Sequence, residues 1–513
     1  MDVLQRIQRV RRPFKSTDSV CRLDCWHFMT WVVMASYVVL GVLAIHVAIA
    51  NHAGGLATSI MDGVDSLGLS DIWELQANKR ESRIWMQLMM WGFHPSHGLF
   101  SVFFGDSWPT LFLDLLYSML AVLAGGFIVF RYSRQVLSDS RTSFLLVFLY
   151  FLLPVTFANT VYWYGQPVFV MVMGALYLMR RGNHLPAALL VIWAHGCHPM
   201  AAPVFLTLSW ASFRMDLKGR PPILPGLDRR DAVAARSWRF SLVMFAALSA
   251  WTGFLVLMSR LADSSSTRGL LWDFFSGKFD PSALPFNFSQ TVFFFLPMLF
   301  LPFASLVWLP SLVVFTGYML FGSQGVVTGF VLPAAGFSML AVAWSMIRLS
   351  GKPRAWLAGG AVVAALLVNL LVPWPALFPM QPEPLTGGIF AHHSWSVQAG
   401  ESAINSMIYE QIPAGTDRCL TSWQIGPVMA RQCRNVTTLS FPFRRQEYAL
   451  GDFLDSGDRG RIADGWWNFI LVDTRREANS ERLSELFHRI EYSGRWEVAG
   501  RTAEAVLYRR VDP

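Results

Sequence analysis

The stretch from residue 51 to residue 83 carries Asp62, Asp65, Asp71, Glu74 and Glu81 together with Lys79, Arg80 and Arg83. A carboxylate in such a loop can take a proton from an acceptor hydroxyl or hold a divalent metal against a phosphate. A solvated loop has the same composition, because exposed loops are usually charged. Both readings stand on the sequence. The next stretch, Ile84 to Gly105, holds His94 and His97 among Trp85, Trp91, Phe93, Phe100 and Phe103, with no Asp, Glu, Lys or Arg until Asp106. That pattern predicts a helix lying in the headgroup plane, where the two histidines either contact phosphate or simply rest at the interface.

A third group lies at Ala194-His195-Gly196-Cys197-His198-Pro199. His195, Cys197 and His198 are metal-ligand types, but no fourth ligand is visible and their side chains need not converge. Packing and the lining of a polar pocket are the competing readings. Asp114 is the one carboxylate within a predicted span. Intramembrane acids are costly enough to suggest a role, although its place near the span's outer end also lets it reach water.

The elements that position these groups follow from composition. The chain has 513 residues, of which 53% are apolar and 15% charged, and its mean hydropathy is +0.39. Those values exclude disorder, a collagen-like fibre and an ordinary soluble enzyme. Charge is uneven: 32 Asp, Glu, Lys or Arg fall in the last 138 positions and 44 in the first 375. The expected organisation is therefore a basic cytoplasmic segment over 1–27, a membrane body over 28–375 with an outer loop at 51–109, and a water-soluble α/β domain over 376–513.

No Asp, Glu, Lys or Arg occurs in 142–179, in 182–213, in 240–259 or in 281–347. Backbone amides in hydrocarbon need internal partners, so these runs must be helical, cut into lengths of about 20 residues by proline and glycine. The division predicts spans near 28–50, 110–130, 143–158, 167–179, 239–259, 287–303, 308–322, 327–347 and 355–373, with a short helical hairpin at 185–213. The fold class is thus a polytopic α-helical membrane protein of about nine spans plus the hairpin. The first span, with 23 uncharged residues and no clear cleavage motif after it, reads as retained.

Lys and Arg number 21 in the segments assigned to one side, 1–25, 131–142, 180–184, 214–239 and 348–354. They number six in the loops assigned to the other, 51–83, 159–166 and 260–286. By the positive-inside rule the N-terminus is cytoplasmic and the C-terminal domain lies outside. The formal charge of +8 mostly reflects this topology, so nucleic acid is not an expected partner. The hairpin enters and leaves on the cytoplasmic side, and its turn sits at or below the outer surface.

The outer domain reads as a helix near 399–411, a strand near 418–422, a helix near 424–432, strands near 435–440 and 469–473, a helix near 479–490, and strands near 495–499 and 503–509. Cys419 and Cys433 either pair in an oxidising compartment or remain as buried thiols.

The order of these features resembles a family of multi-pass bacterial and archaeal membrane proteins, a domain of unknown function grouped with the GT-C glycosyltransferase superfamily. The resemblance runs from about residue 84 to the end. It rests on His94-Pro95-Ser96-His97 before the second span, Leu153-Pro154, Leu178-Met179-Arg180-Arg181, and the proline marks Phe295-Leu296-Pro297, Leu301-Pro302, Leu309-Pro310 and Val331-Leu332-Pro333. In the outer domain it rests on Glu410-Gln411-Ile412-Pro413-Ala414-Gly415, Cys419-Leu420, Gly426-Pro427, Arg431 to Arg434, Phe441-Pro442 and the strand ending at Asp473.

The resemblance implies transfer of a sugar from a polyprenyl phosphate, with inversion, at the outer face of a bacterial cytoplasmic membrane. Asp62, Asp65 and Asp71 are the base candidates by position. Glu74, Lys79, Arg80, Arg83, His94, His97, His195 and His198 are the substrate-binding candidates, with Lys79, Arg80 or Arg83 stabilising the leaving phosphate. It names no certain cofactor, and a divalent metal remains an option. The implied partners are membrane lipid and a lipid-linked sugar. Three positions depart from the family's pattern: the hairpin turn has Ala194-His195-Gly196-Cys197-His198 where a Lys-Glu-Asp type sequence is usual, the turn after the third span reads Tyr164-Gly165-Gln166-Pro167, and Gly325 to Gly329 replaces a His/Tyr patch. These departures point to a different substrate or to a non-catalytic chain. The rival reading is accordingly a membrane scaffold or assembly subunit whose outer domain binds a glycan or a partner. A transporter is less favoured, since no inverted repeat is evident and Asp114 is the sole ionisable coupling group.

Overall fold

The computed structural model describes residues 25–50, 100, 108–156, 167–197, 200–217, 231–261, 284–321, 327–371, 397, 399–422, 425–438, 466–474, 487–488 and 490–511. The membrane body contains α1 (Cys25–Ala50), α2 (Trp108–Leu137), α3 (Ser140–Leu152), α4 (Val168–Arg180), α5 (His184–Cys197), α6 (Ala201–Leu217), α7 (Asp231–Leu261), α8 (Leu284–Phe295), α9 (Leu309–Phe321), α10 (Val327–Ser345) and α11 (Lys352–Leu371). Among the described residues, three helical stretches, Cys25–Leu43, Leu116–Leu137 and Lys352–Leu371, are long and apolar enough to cross a membrane by themselves.

Several bounds differ from the sequence reading: α2 runs on to Leu137 instead of ending near 130, α3 stops at Leu152 instead of near 158, α7 starts at Asp231 instead of near 239, and the helix expected over 424–432 covers only Gly426–Met429. The span expected over 287–303 does not run as one helix: α8 stops at Phe295, and short 3-10 turns at Leu296–Met298, Leu301–Ala304 and Leu306–Trp308 follow. Pro297 and Pro302 each remove a backbone donor, and Leu299 and Phe300 take positive φ values of 51° and 56°, which breaks the ladder. The hairpin's first helix is also longer than expected. It continues through His195 and Gly196 to Cys197, so those side chains project from a final helical turn and not from a loop.

Contacts between the helices sort their ends. His27 meets the Arg134 guanidinium, Arg141 lies 5.9 Å from the Trp26 ring centroid, and Arg354 Nη1 donates to the Leu137 carbonyl at 2.8 Å. The starts of α1 and α11 and the α2–α3 junction therefore share one basic end. Two more arginines stack on aromatic rings beside the hairpin, Arg181 on Tyr177 at 4.6 Å and Arg214 on Trp210 at 5.8 Å. The interior is packed closely enough to exclude a methyl group at Gly336, where an added Cβ would overlap the ring of buried Phe169, itself edge-on to Phe337 with centroids 5.0 Å apart. Gly336→Ala is expected to cost about 1–3 kcal/mol through overpacking, measured as a lower midpoint of thermal unfolding in detergent.

The C-terminal domain comprises α12 (Ala399–Gln411), β1 (Thr416–Thr421), the short α13 (Gly426–Met429), β2 (Cys433–Thr438), β3 (Phe469–Asp473), β4 (Trp496–Arg501) and β5 (Ala505–Arg510). The five strands run in the order β2-β1-β3-β5-β4. The first three are parallel, and β5 and β4 join antiparallel. Alternation along β1 and β3 sends Cys419, Phe469 and Leu471 to the α12 face and Leu420, Ile470 and Val472 to the other. On that second face Tyr508 donates to Glu491 Oε1 at 3.3 Å, and burial, then the Glu491 carboxylate, hold its hydroxyl above the ordinary phenol range.

Cys419 and Cys433 form a disulfide between β1 and β2, with Cα atoms 6.2 Å apart. Breaking it by Cys419→Ser is expected to destabilise the domain by about 3 kcal/mol, the cost of freeing a loop of roughly 15 residues in the unfolded chain. Unfolding followed with and without a thiol reductant measures this.

The two parts meet at the end of α1. Ile49 and Met119 belong to the same buried apolar cluster as Ile404, Met407, Ile408 and Cys419, and the Asn405 amide donates to the Ala50 carbonyl at 2.8 Å. A helix leaves its last carbonyls without intrahelical partners, and here a side chain from the sheet domain takes one of them.

Candidate functional site at the hairpin turn

Of the residues singled out from the sequence, Asp62, Asp65, Asp71, Glu74, Lys79, Arg80, Arg83, His94, His97 and His198 lie outside the described residues. Asp114 has its backbone on the second turn of α2, and its side chain is likewise outside them. His195 and Cys197 are described, and each engages a helix that packs against the hairpin.

His195 projects from the last turn of α5 toward α7, where its Nε2 lies 2.9 Å from the Thr252 hydroxyl. That hydroxyl donates to the Leu248 carbonyl one turn back, at 3.0 Å. A hydroxyl has one proton, so the imidazole supplies the proton of the histidine–threonine bond and Nε2 carries it. The neutral ring then has a bare lone pair at Nδ1, which is buried and has no hydrogen-bonding partner among the described residues. A buried acceptor left in this state costs about 1–3 kcal/mol, and more benign residues would pack there.

Cys197, buried to 3% exposure, belongs to a second set on the other side of the helix. Its thiol hydrogen-bonds with Tyr117 on α2, whose hydroxyl also accepts from Trp193 Nε1 at 2.9 Å. Tyr117 stands three residues after Asp114 on the same helix. His195 and Cys197 thus turn to different neighbours. No group of three or more His, Cys, Asp or Glu side chains comes together for a metal among the described residues. His198, the third donor of the hairpin, lies outside the described residues, and the two that are described meet Thr252 and the bonded pair of Tyr117 and Trp193.

Those three were not singled out from the sequence. Thr252 and His195 are 57 positions apart and Tyr117 and Trp193 are 76 apart, so only the packing of α5 against α7 and α2 brings them together. The one local signal was the placement of Tyr117 within a turn of Asp114.

From His184, whose ring lies 5.2 Å from Phe240, α5 runs about 16 Å to His195.

No family model and no curated protein matches the chain. Solved structures do: thirteen chains match, among them ArnT from Cupriavidus metallidurans, solved bound to undecaprenyl phosphate. The likeness to it has a TM-score of 0.50 at 10% identity and covers 94% of this chain and 98% of that one. At that identity the likeness speaks to architecture, and it extends over both the helical body and the small sheet domain. The chain shares the overall fold of that structure over nearly the whole length of both.

Proposed function

We propose that this protein is a GT-C-type membrane glycosyltransferase that moves a sugar from a polyprenyl-phosphate donor onto an acceptor at the outer face of a bacterial cytoplasmic membrane. The observation that carries this reading is a fold shared almost end to end with a protein solved in complex with undecaprenyl phosphate. The contact of the α1 terminus with the sheet domain supports it, because the loop bearing Asp62, Asp65 and Asp71 starts beside that domain, on the side away from the basic end. The Cys419–Cys433 bridge agrees with an oxidising compartment for the domain.

In this scheme one of the three aspartates draws the proton from the acceptor hydroxyl as it attacks the anomeric carbon with inversion. Lys79, Arg80 or Arg83 stabilises the negative charge that accumulates on the departing polyprenyl phosphate. Metal dependence is tested separately by chelation.

The deciding experiment reconstitutes the full chain in vesicles with a radiolabelled polyprenyl-phosphate sugar and a membrane-lipid extract as acceptor. Label moving into a new lipid or glycan product supports the transferase. Failure to release polyprenyl phosphate, together with retention of the cellular phenotype by a triple Asp62, Asp65 and Asp71 to Asn variant, supports the scaffold instead.

A further inference from the structure

The end shared by the starts of α1 and α11 and the α2–α3 junction carries Arg131, Arg134, Arg141, Arg348, Lys352 and Arg354, and among the described residues no carboxylate pairs with any of them. The acid described there, Asp139, is committed to capping α3, where it accepts from the Arg141 backbone N–H at 3.1 Å and from the Thr142 hydroxyl. Arg134 meets the His27 imidazole, an acceptor that holds the guanidinium without cancelling its charge. Arg131 and Arg134 stand three residues apart on α2, so they share a face, and both are exposed. One turn along α1 and two turns along α2 from the His27–Arg134 contact, the seam between the helices becomes apolar and stays open. Trp31 is 56% exposed and Phe127 43%, with their ring centroids 6.5 Å apart. Cations and exposed rings therefore follow one line on the surface of both helices.

We propose that the α1–α2 seam binds one phosphatidylglycerol molecule, its phosphate on Arg134 and Arg131 and an acyl chain along Trp31 and Phe127. The charge and the shape of the seam together select this occupant. A guanidinium that gives one N–H to His27 keeps its other donors for phosphate oxygens. A zwitterionic lipid would bring an ammonium group against Arg131 and Arg134, and a soluble anion would leave the exposed rings uncovered. Cardiolipin would bring a second phosphate, but the next cation, Arg141, lies on the α3 side of α1, stacked 5.9 Å from the Trp26 ring centroid. A single phosphodiester under an uncharged headgroup meets all three conditions. The site shares no residue with the aspartate-bearing loop, so it stands or falls apart from the transferase reading.

The test uses the full chain in phosphatidylcholine nanodiscs holding a trace of phosphatidylglycerol with a photoactivatable diazirine on one acyl chain. After illumination and digestion, label is expected on the α1 peptide around Trp31 and the α2 peptide around Phe127. Unlabelled phosphatidylglycerol is expected to displace it even though phosphatidylcholine is in large excess. A diazirine phosphatidylcholine at the same mole fraction is expected to label these peptides at least several-fold less. Arg134→Gln and, separately, Arg131→Gln are each expected to lower labelling by phosphatidylglycerol several-fold. The thermal unfolding midpoint of each variant in pure phosphatidylcholine nanodiscs should equal the parent's, and Arg131→Gln, which breaks no described side-chain contact, decides the matter if Arg134→Gln fails to fold.

Equal labelling by the phosphatidylcholine probe makes the seam ordinary contact with the surrounding bilayer and overturns the proposal. So does labelling that a folded Arg131→Gln variant leaves unchanged, or label that falls on other helices. Displacement by cardiolipin at a far lower mole fraction than phosphatidylglycerol, or by inorganic pyrophosphate, which has no acyl chain, assigns a different occupant and overturns it as well.

Discussion

Asp65→Asn or Asp71→Asn is expected to lower the rate of sugar transfer by about 10²–10⁴-fold, the range over which a positioned general base acts. Asparagine keeps the size of the side chain and most of its hydrogen bonding, but it cannot take the acceptor's proton and carries no charge. Only the aspartate that reaches the reacting hydroxyl gives the full loss. Of Asp62, Asp65 and Asp71, one therefore falls to background while the other two retain most of their activity, and expression and thermal stability stay unchanged in all three. The measurement is initial-rate transfer in vesicles with saturating donor, so that the loss appears in kcat and not merely in KM. Replacing Lys79, Arg80 or Arg83 with Ala gives a second, mechanistically different loss. A missing stabiliser of the leaving phosphate lowers kcat by about 10²–10³-fold while the proton-accepting group is intact. Three aspartate variants at wild-type rate would remove the loop from the chemistry.

Much of the architecture was legible because hydrocarbon leaves a chain so few options. Uncharged runs have to be helical, and the α12 boundaries at Ala399 and Gln411, like the β3 boundaries at Phe469 and Asp473, coincide with the apolar periodicity read from the sequence. The broken segment after Phe295 was misread because an apolar run hides its own interruptions: only Pro297 and Pro302 mark them, and Leu299 and Phe300 adopt left-handed conformations that their residue types do not announce. The hairpin was recognised from charge on both its flanks, since that argument concerns sidedness and needs no contact. Its partners were not recognisable. His195 could be named as polar and out of place, but whether it meets metal, water or another side chain depends on which helix lies alongside, and residue 252 reaches it only through packing. Cys419 and Cys433 posed the same problem at shorter range: their identity allowed a bridge, and only the folded domain brings their Cα atoms to 6.2 Å.

Ile49→Asp is the other large effect expected, and it concerns how the two parts of the chain hold each other. Ile49 is 2% exposed although it stands at the next-to-last position of α1, where a membrane helix would ordinarily meet water or headgroups. Its burial comes from the sheet domain, whose helix α12 contributes Ile404, Met407 and Ile408 to the same cluster. An aspartate there has no cationic partner in that cluster, and an uncompensated buried charge costs about 3–5 kcal/mol. That is a large part of the 5–15 kcal/mol by which an ordinary domain is stable. The domain is expected to detach from α1 while its own disulfide and sheet stay intact, so limited proteolysis releases a C-terminal fragment that the unaltered chain protects. Ile49→Ala should give a milder version, about 2–4 kcal/mol, from the cavity alone, and Asn405→Ala a smaller one from the orphaned Ala50 carbonyl. If instead the aspartate variant resists protease as the parent does, the α1 terminus is not held by the domain. If transfer survives full detachment, the domain does not set the geometry of the aspartate-bearing loop, and its contribution to the reaction has to be sought elsewhere on its surface.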